Sequence, residues 1–155
     1  MKTSFNSLLL IKMQKLQKLY KKDFNLWLKQ TAIAIKNRDF TNMDWDNLLE
    51  EIEDMGASQK RALRSYTKRL IDHVLKLRYW YSEKEYNAKG WRTEIINFRD
   101  EIKEILQESP SLKNYLEENY KTWYKKSVRA MQEEFDIPDN NFIPLETILR
   151  DDFFE

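Results

Sequence analysis

The sequence predicts an all-α protein, an antiparallel helix bundle built around one long, charge-split helix at about residues 44–80. Three observations predict it. Glycine and proline number two and three in 155 residues, which leaves few sites for hairpin turns. Apolar residues recur at three- and four-residue intervals rather than alternating, the spacing of a buried helix face. Charged residues make up 34% and hydrophobic ones 41% of the chain, the balance of a bundle with a charged surface. The expected organisation is a helical extension over residues 1–20, then a single bundle domain over 21–155 whose last part, 136–155, is irregular.

The first helix is expected at about 6–19, with Leu9, Met13, Leu16 and Leu19 or Tyr20 on one face. Asp23 is placed to cap the second, whose inward side is Phe24, Trp27, Leu28, Ala32 and Ile35. A polar loop follows at 37–42. Asp44 or Thr41 then caps the long helix, on which Leu48, Ile52, Met55, Ala62, Tyr66, Leu70, His73, Leu77 and Trp80 fall within about a third of the circumference. Gly56 interrupts this run at a cost of about 1 kcal/mol relative to alanine. The apolar phase is unbroken on both sides of it, which favours a continuous helix over two separate ones. Residues 82–90 read as a loop. The fourth helix spans about 91–107, with Trp91, Ile95, Phe98, Ile102 and Ile105 inward. Ser109-Pro110-Ser111 ends it and starts the fifth, Ser109 capping and Pro110 at the first helical position. That helix runs to about residue 135 with Leu112, Leu116, Tyr120, Trp123, Val128 and Met131 inward, and 146–152 adds a short final turn.

Charge divides the long helix. Residues 44–54 carry six acids and no base, whereas residues 60–78 carry seven bases against one acid, inside a chain of net charge +1. Acids first and bases last is the order a helix dipole favours. The same order makes the helix complementary to an inverted copy of itself. Near-zero net charge argues against a protein that coats nucleic acid generally. Having no cysteine, the chain has no disulfide, thiolate nucleophile or Cys-ligated metal, and this fits a reducing cytoplasm. The apolar run at 8–11 is far short of the roughly 20 residues that span a bilayer, so no membrane association is expected.

Several runs carry a family resemblance. Leu48-Leu49-Glu50-Glu51-Ile52-Glu53-Asp54-Met55-Gly56, Leu70-Ile71-Asp72-His73-Val74-Leu75-Lys76, Trp91-Arg92-Thr93 with Arg99, and Ser109-Pro110-Ser111-Leu112 with Tyr115-Leu116 occur in order. Together they resemble the signature of the bacterial, largely cyanobacterial, domain-of-unknown-function family number 29, and residues 142–153 are similar to its closing segment. The chain departs at Ala57, where the family often has arginine, and at Leu77-Arg78-Tyr79-Trp80, where it usually has an aromatic and Gln-Pro. The resemblance implies an all-helical fold and no particular activity. It also leaves residues 1–12 ahead of the family's usual start, so that Met13 is an alternative initiator.

No complete catalytic or metal-binding set emerges from the residues. His73 is the only histidine, and along a continuous helix it stands about 33 Å from Glu51. The acidic cluster lacks the Glu-x-x-His spacing of carboxylate metal sites, and a dipole-matched helix start explains it. Antiparallel packing would bring His73 level with about residues 91–95 and 120–124, and His73, Trp91, Arg99, Tyr120 and Trp123 make up a candidate ligand pocket. The plainer reading is a hydrogen-bonded histidine in an aromatic core, with Arg99 paired to an inward carboxylate. The bases of the long helix, and a second cluster at Lys121, Lys125, Lys126 and Arg129, read first as solvated faces paired with acids of neighbouring helices.

The leading expectation is a cytoplasmic, non-enzymatic interaction or self-assembly module with no catalytic residue, metal or cofactor. Its partner is a protein or a second copy, met through Glu50, Glu53, Asp54, Lys60, Arg64, Lys68 and Arg69. The alternatives are a nucleic-acid-associated protein using the basic half, and a ligand or enzyme site around His73, Trp91 and Arg99.

Overall fold

A computed structural model describes the backbone of residues 2–155 and the side chains of residues 7, 8, 10–12 and 14–155. The protein is an all-α helix bundle with a long central helix. The helices are α1 (Lys2–Lys22), α2 (Phe24–Lys36), α3 (Trp45–Tyr79), α4 (Tyr81–Glu108), α5 (Leu112–Met131) and α6 (Leu145–Ile148), with a single 3-10 turn at Phe40–Asn42. No strand occurs among the described residues. The chain forms two compact units, Met1–Gly56 and Ala57–Glu155. The border falls inside α3, which is one continuous helix of 35 residues through Gly56. Nothing lies within 4 Å of where a Cβ would stand on Gly56, and its φ is not positive, so neither space nor backbone geometry demands glycine there.

In the first unit Asp23 joins α1 to α2 and caps α2 as expected, its carboxylate accepting the Leu26 N–H at 2.9 Å. Tyr20, Phe24 and Trp27 form a ring cluster with centroids 4.9 to 5.8 Å apart. Of the inward face expected for α2 only Trp27 is buried, accompanied by Thr31, while Phe24, Leu28, Ala32 and Ile35 are exposed. On α1, Leu16, Leu19 and Tyr20 are half-buried as expected, whereas the side chains of Leu9 and Met13 lie outside the described residues. Asp44 or Thr41 was expected to cap α3. Asp44 stands directly before that helix, its carbonyl accepting the Leu48 N–H at 3.0 Å, while its side chain is buried and accepts from Trp27 Nε1 at 3.0 Å and Asn47 Nδ2 at 2.7 Å. Helix α2 closes with Arg38 in the left-handed region at φ 55°, where Asp39 N–H donates to Ala34 O at 2.9 Å. An L residue in that region is held at a cost of about 1 kcal/mol.

The second unit packs α3, α4, α5 and the tail around one core. Leu70, Val74 and Leu77 meet Ile95, Phe98 and Ile102, then Leu116, Tyr120 and Trp123, closed by Ile137, Ile143 and Ile148. The faces expected for α4 and α5 are the ones buried. The face of α3 is buried only in part: Leu70 and Leu77 are buried, Leu48, Ala62, Tyr66, His73 and Trp80 half-buried, and Ile52 and Met55 exposed. Its buried residues are Leu63, Thr67, Leu70, Ile71, Val74, Leu75 and Leu77, a face turned from the expected stripe toward Leu63, Thr67 and Val74. Polar Thr67 disguises that face in the sequence, yet its hydroxyl donates to Leu63 O at 2.7 Å and so carries no unmet bond into the core.

Two junctions also differ from expectation. Residues 82–90 are helical, and Trp80 alone separates α3 from α4, with its ring stacked on Trp91 at 6.0 Å and Phe135 at 4.9 Å. The single glycine at position 90 costs a helix only about 1 kcal/mol, too little to break one that tertiary packing holds. Ser109 ends α4 rather than capping α5; its hydroxyl donates to Gln59 Oε1 at 2.9 Å. Helix α5 stops at Met131, short of residue 135, and turns follow.

Candidate functional site

Every third or fourth residue of a helix returns to the same side. Taking about 100° per residue, Trp45, Leu49 and Ile52 stand on the side of α3 that further along carries Leu63, Thr67, Leu70, Val74 and Leu77. The later residues are buried. The earlier ones are 52%, 57% and 57% exposed, and Met55 beside them is 69% exposed.

Charge flanks this stripe on one side. Asp46, Glu50, Glu53 and Asp54, then Lys60, Arg61, Arg64 and Lys68, lie within a sector of about 120°. Their positions mirror one another about Ala57 in sequence: Asp46 with Lys68, Glu50 with Arg64, Glu53 with Arg61, Asp54 with Lys60. Asp46, Glu50, Glu53, Lys60, Arg64 and Lys68 form no ion pair with another described residue. The expected pairing of the basic half with acids of neighbouring helices is therefore absent there. Lys60 instead sits 5.3 Å from the centre of the Tyr115 ring.

Two of the six acids leave this surface. Asp44 is buried, and Glu51 accepts the Tyr20 hydroxyl at 2.6 Å, a bond that pushes the phenol up to about 12. Arg69, expected on the same surface, is exposed but lies about 60° beyond the edge of the sector, while its carbonyl faces His73. Sequence reasoning left out Asp46, although its four-residue spacing to Glu50 and Asp54 marks it.

The five residues of the expected ligand pocket have separate surroundings. His73 Nδ1 lies 2.8 Å from Arg69 O, and its ring meets Phe98 edge-on at 5.3 Å. Burial holds that imidazole below its ordinary value. Trp91 stacks on Trp80. Tyr120 donates to Ile143 O at 2.7 Å, and Trp123 meets Tyr115 edge-on at 5.7 Å. Arg99 is buried as expected, but its partners are main-chain carbonyls of the tail rather than a carboxylate. Nε donates to Ile148 O at 2.8 Å, Nη2 to Phe153 O, and the guanidinium faces the Phe154 ring at 5.4 Å. Lys84 and Arg92, both paired with Glu155, and Lys103, paired with Asp151, hold the same tail. These groups are occupied in packing and in fastening residues 145–155.

Among the described residues no three of His, Asp and Glu converge on a metal-sized site, and no helix is long and apolar enough to cross a membrane. The family model described as "Domain of unknown function DUF29" matches residues 19–154. Neither a curated protein nor a solved structure matches the chain.

Proposed function

The chain belongs to the DUF29 family, and from that premise we propose that it acts without catalysis, as a cytoplasmic helical module that pairs with a second copy of itself through α3. One observation carries the reading. Acids and bases on one side of α3 mirror each other about Ala57, and six of the eight, Asp46, Glu50, Glu53, Lys60, Arg64 and Lys68, form no ion pair with another described residue.

An antiparallel pair related by a two-fold axis near Ala57 sets each acid against a base. Asp46 of one copy meets Lys68 of the other, and Glu50 meets Arg64. A parallel pair, or an antiparallel pair centred elsewhere, sets like against like. Exposed ion pairs contribute about 0.5 kcal/mol each, so charge chooses the partner and its direction. Leu49 and Ala57 beside the charges, with the methylene stems of the lysines and arginines, add apolar contact. The resulting association is weak and sensitive to salt.

Sedimentation of charge-swapped variants tests it. Asp46→Lys/Glu50→Lys/Asp54→Lys leaves Glu53 as the one acid in a basic sector, and Lys60→Glu/Arg64→Glu/Lys68→Glu leaves Arg61 as the one base in an acidic sector. The wild type is expected to dimerise at low salt and dissociate at about 0.5 M, where charges are screened within a few ångströms. Each variant alone is expected to stay monomeric, and an equimolar mixture to dimerise. A wild type that is monomeric at low salt, or variants that fail to combine with each other, would refute the reading.

A further inference from the structure

Helix α5 buries Leu116, Tyr120, Trp123 and Tyr124 on one face and exposes Lys121, Lys125 and Arg129 on another. The three cations follow at four-residue intervals, about 6 Å apart along the axis, a spacing at which like charges destabilise a helix. None of them forms an ion pair with a described residue. They line one side of a surface cleft of about 500 Å³. The other side is formed by the segment after α5, fixed by two bonds: the Tyr124 hydroxyl donates to Asn141 O at 2.6 Å, and Asn141 Nδ2 donates to Pro138 O at 2.6 Å. Phe142 stands in the cleft, 49% exposed, edge-on to Tyr120 and Tyr124 at 6.1 and 5.1 Å. Asp139 is the one carboxylate among the lining residues.

We infer that this cleft binds a phosphorylated molecule bearing a planar ring, of the size of a nucleoside triphosphate. The row of cations, about 12 Å long, is long enough to cover a short chain of phosphates. The exposed Phe142 ring offers a stacking surface that a simple polyanion does not use. The volume lies in the range of about 300–1,000 Å³ usual for organic ligands. The wall is set by hydrogen bonds already made, so little ordering opposes binding.

Calorimetric titration of the full chain with magnesium-free ATP at low salt tests this, with tripolyphosphate, adenosine, oligoglutamate and oligothymidylate titrated in parallel. ATP is expected to bind more tightly than any of the four. Lys125→Glu is expected to weaken ATP about tenfold or more, as loss of a charge-assisted contact does. Phe142→Ala is expected to weaken ATP about fivefold or more while leaving tripolyphosphate unchanged, as loss of stacking does. No heat with ATP, or equal binding by wild type and Lys125→Glu, overturns the inference. Tripolyphosphate or oligoglutamate binding as tightly as ATP also overturns it, by reducing the site to charge alone. Oligothymidylate binding more tightly than ATP overturns it in favour of single-stranded nucleic acid. Both substituted side chains are exposed, and circular dichroism verifies that the variants keep their helices.

Discussion

In the first unit, Met1–Gly56, the buried hydrophobic side chains are Trp27 and Met43, among the described residues. The second, Ala57–Glu155, buries side chains from three helices and a tail around one core. The sequences are not so different. Helix α2 is more apolar by composition than α1, α3, α4 or α5, yet Phe24, Leu26, Leu28, Ile33 and Ile35 are each at least 40% exposed. Amphipathic pattern gives a helix a face, but only a second and third helix laid against it make a core. Along α3 this contrast occurs within a single element, with one side bare at Trp45, Leu49 and Ile52 and covered from Leu63 onward.

Paired truncations test the contrast most strongly. Leu70→Ala is expected to lower stability by about 2–5 kcal/mol, because the packed core cannot collapse into the space left. Ile52→Ala, on the bare part of the same helix, is expected to change it by less than about 0.5 kcal/mol. Urea midpoints read both; equal losses would break the comparison.

A smaller effect sharpens it from the other side. Asp44→Ala leaves the buried Trp27 N–H without its acceptor, an expected loss of about 1–3 kcal/mol. Hydrogen exchange should report the loss in amides of α2 and the start of α3, with the amides of α5 protected as before. Deprotection of α5 as well would mean that the units are not separate in energy.

The smallest effect is one of pH. Burial holds the Asp72 carboxyl above its ordinary value, so the folded chain binds more protons there than the unfolded chain. Stability therefore falls as pH rises through the range just above the ordinary carboxylate value. Asp72→Asn removes that dependence, and it is expected to raise Tm by roughly 2–4 °C at pH 7 and by less at pH 4. A lower Tm at pH 7 would show that the charge helps the second unit rather than burdening it.

What was legible in the sequence follows the same division. The all-α class, the continuity of α3 through Gly56 and the cap at Asp23 rest on local signals, and each is found. The inward faces of α4 and α5 were legible because apolar and aromatic residues recur along them, with Arg99 and Ser127 the polar exceptions. The face of α3 was misjudged because Thr67 lies in its middle and meets its own hydrogen-bond need within the helix. The helical start of α4 was hidden by polar residues and Gly90, where the stacking of Trp80 between Trp91 and Phe135 decides the connection. Arg99 was rightly placed inside, but main-chain carbonyls about fifty residues away carry no side-chain signature. The charged sector of α3 was readable from periodicity. The cleft on α5 was only half readable, since its cations are local and its other wall comes from residues beyond the helix.

The border between the two units falls just after Gly56, inside α3, at a residue with no side chain of its own. The winding of a helix is weakest at such a residue, and opening that begins there need not spread equally in both directions. Toward Trp45 it meets a thin interior, and toward Tyr79 a thick one. Unravelling thus runs preferentially backward along the chain, so that warming strips away the bare, acid-rimmed end first and leaves the firmer portion standing.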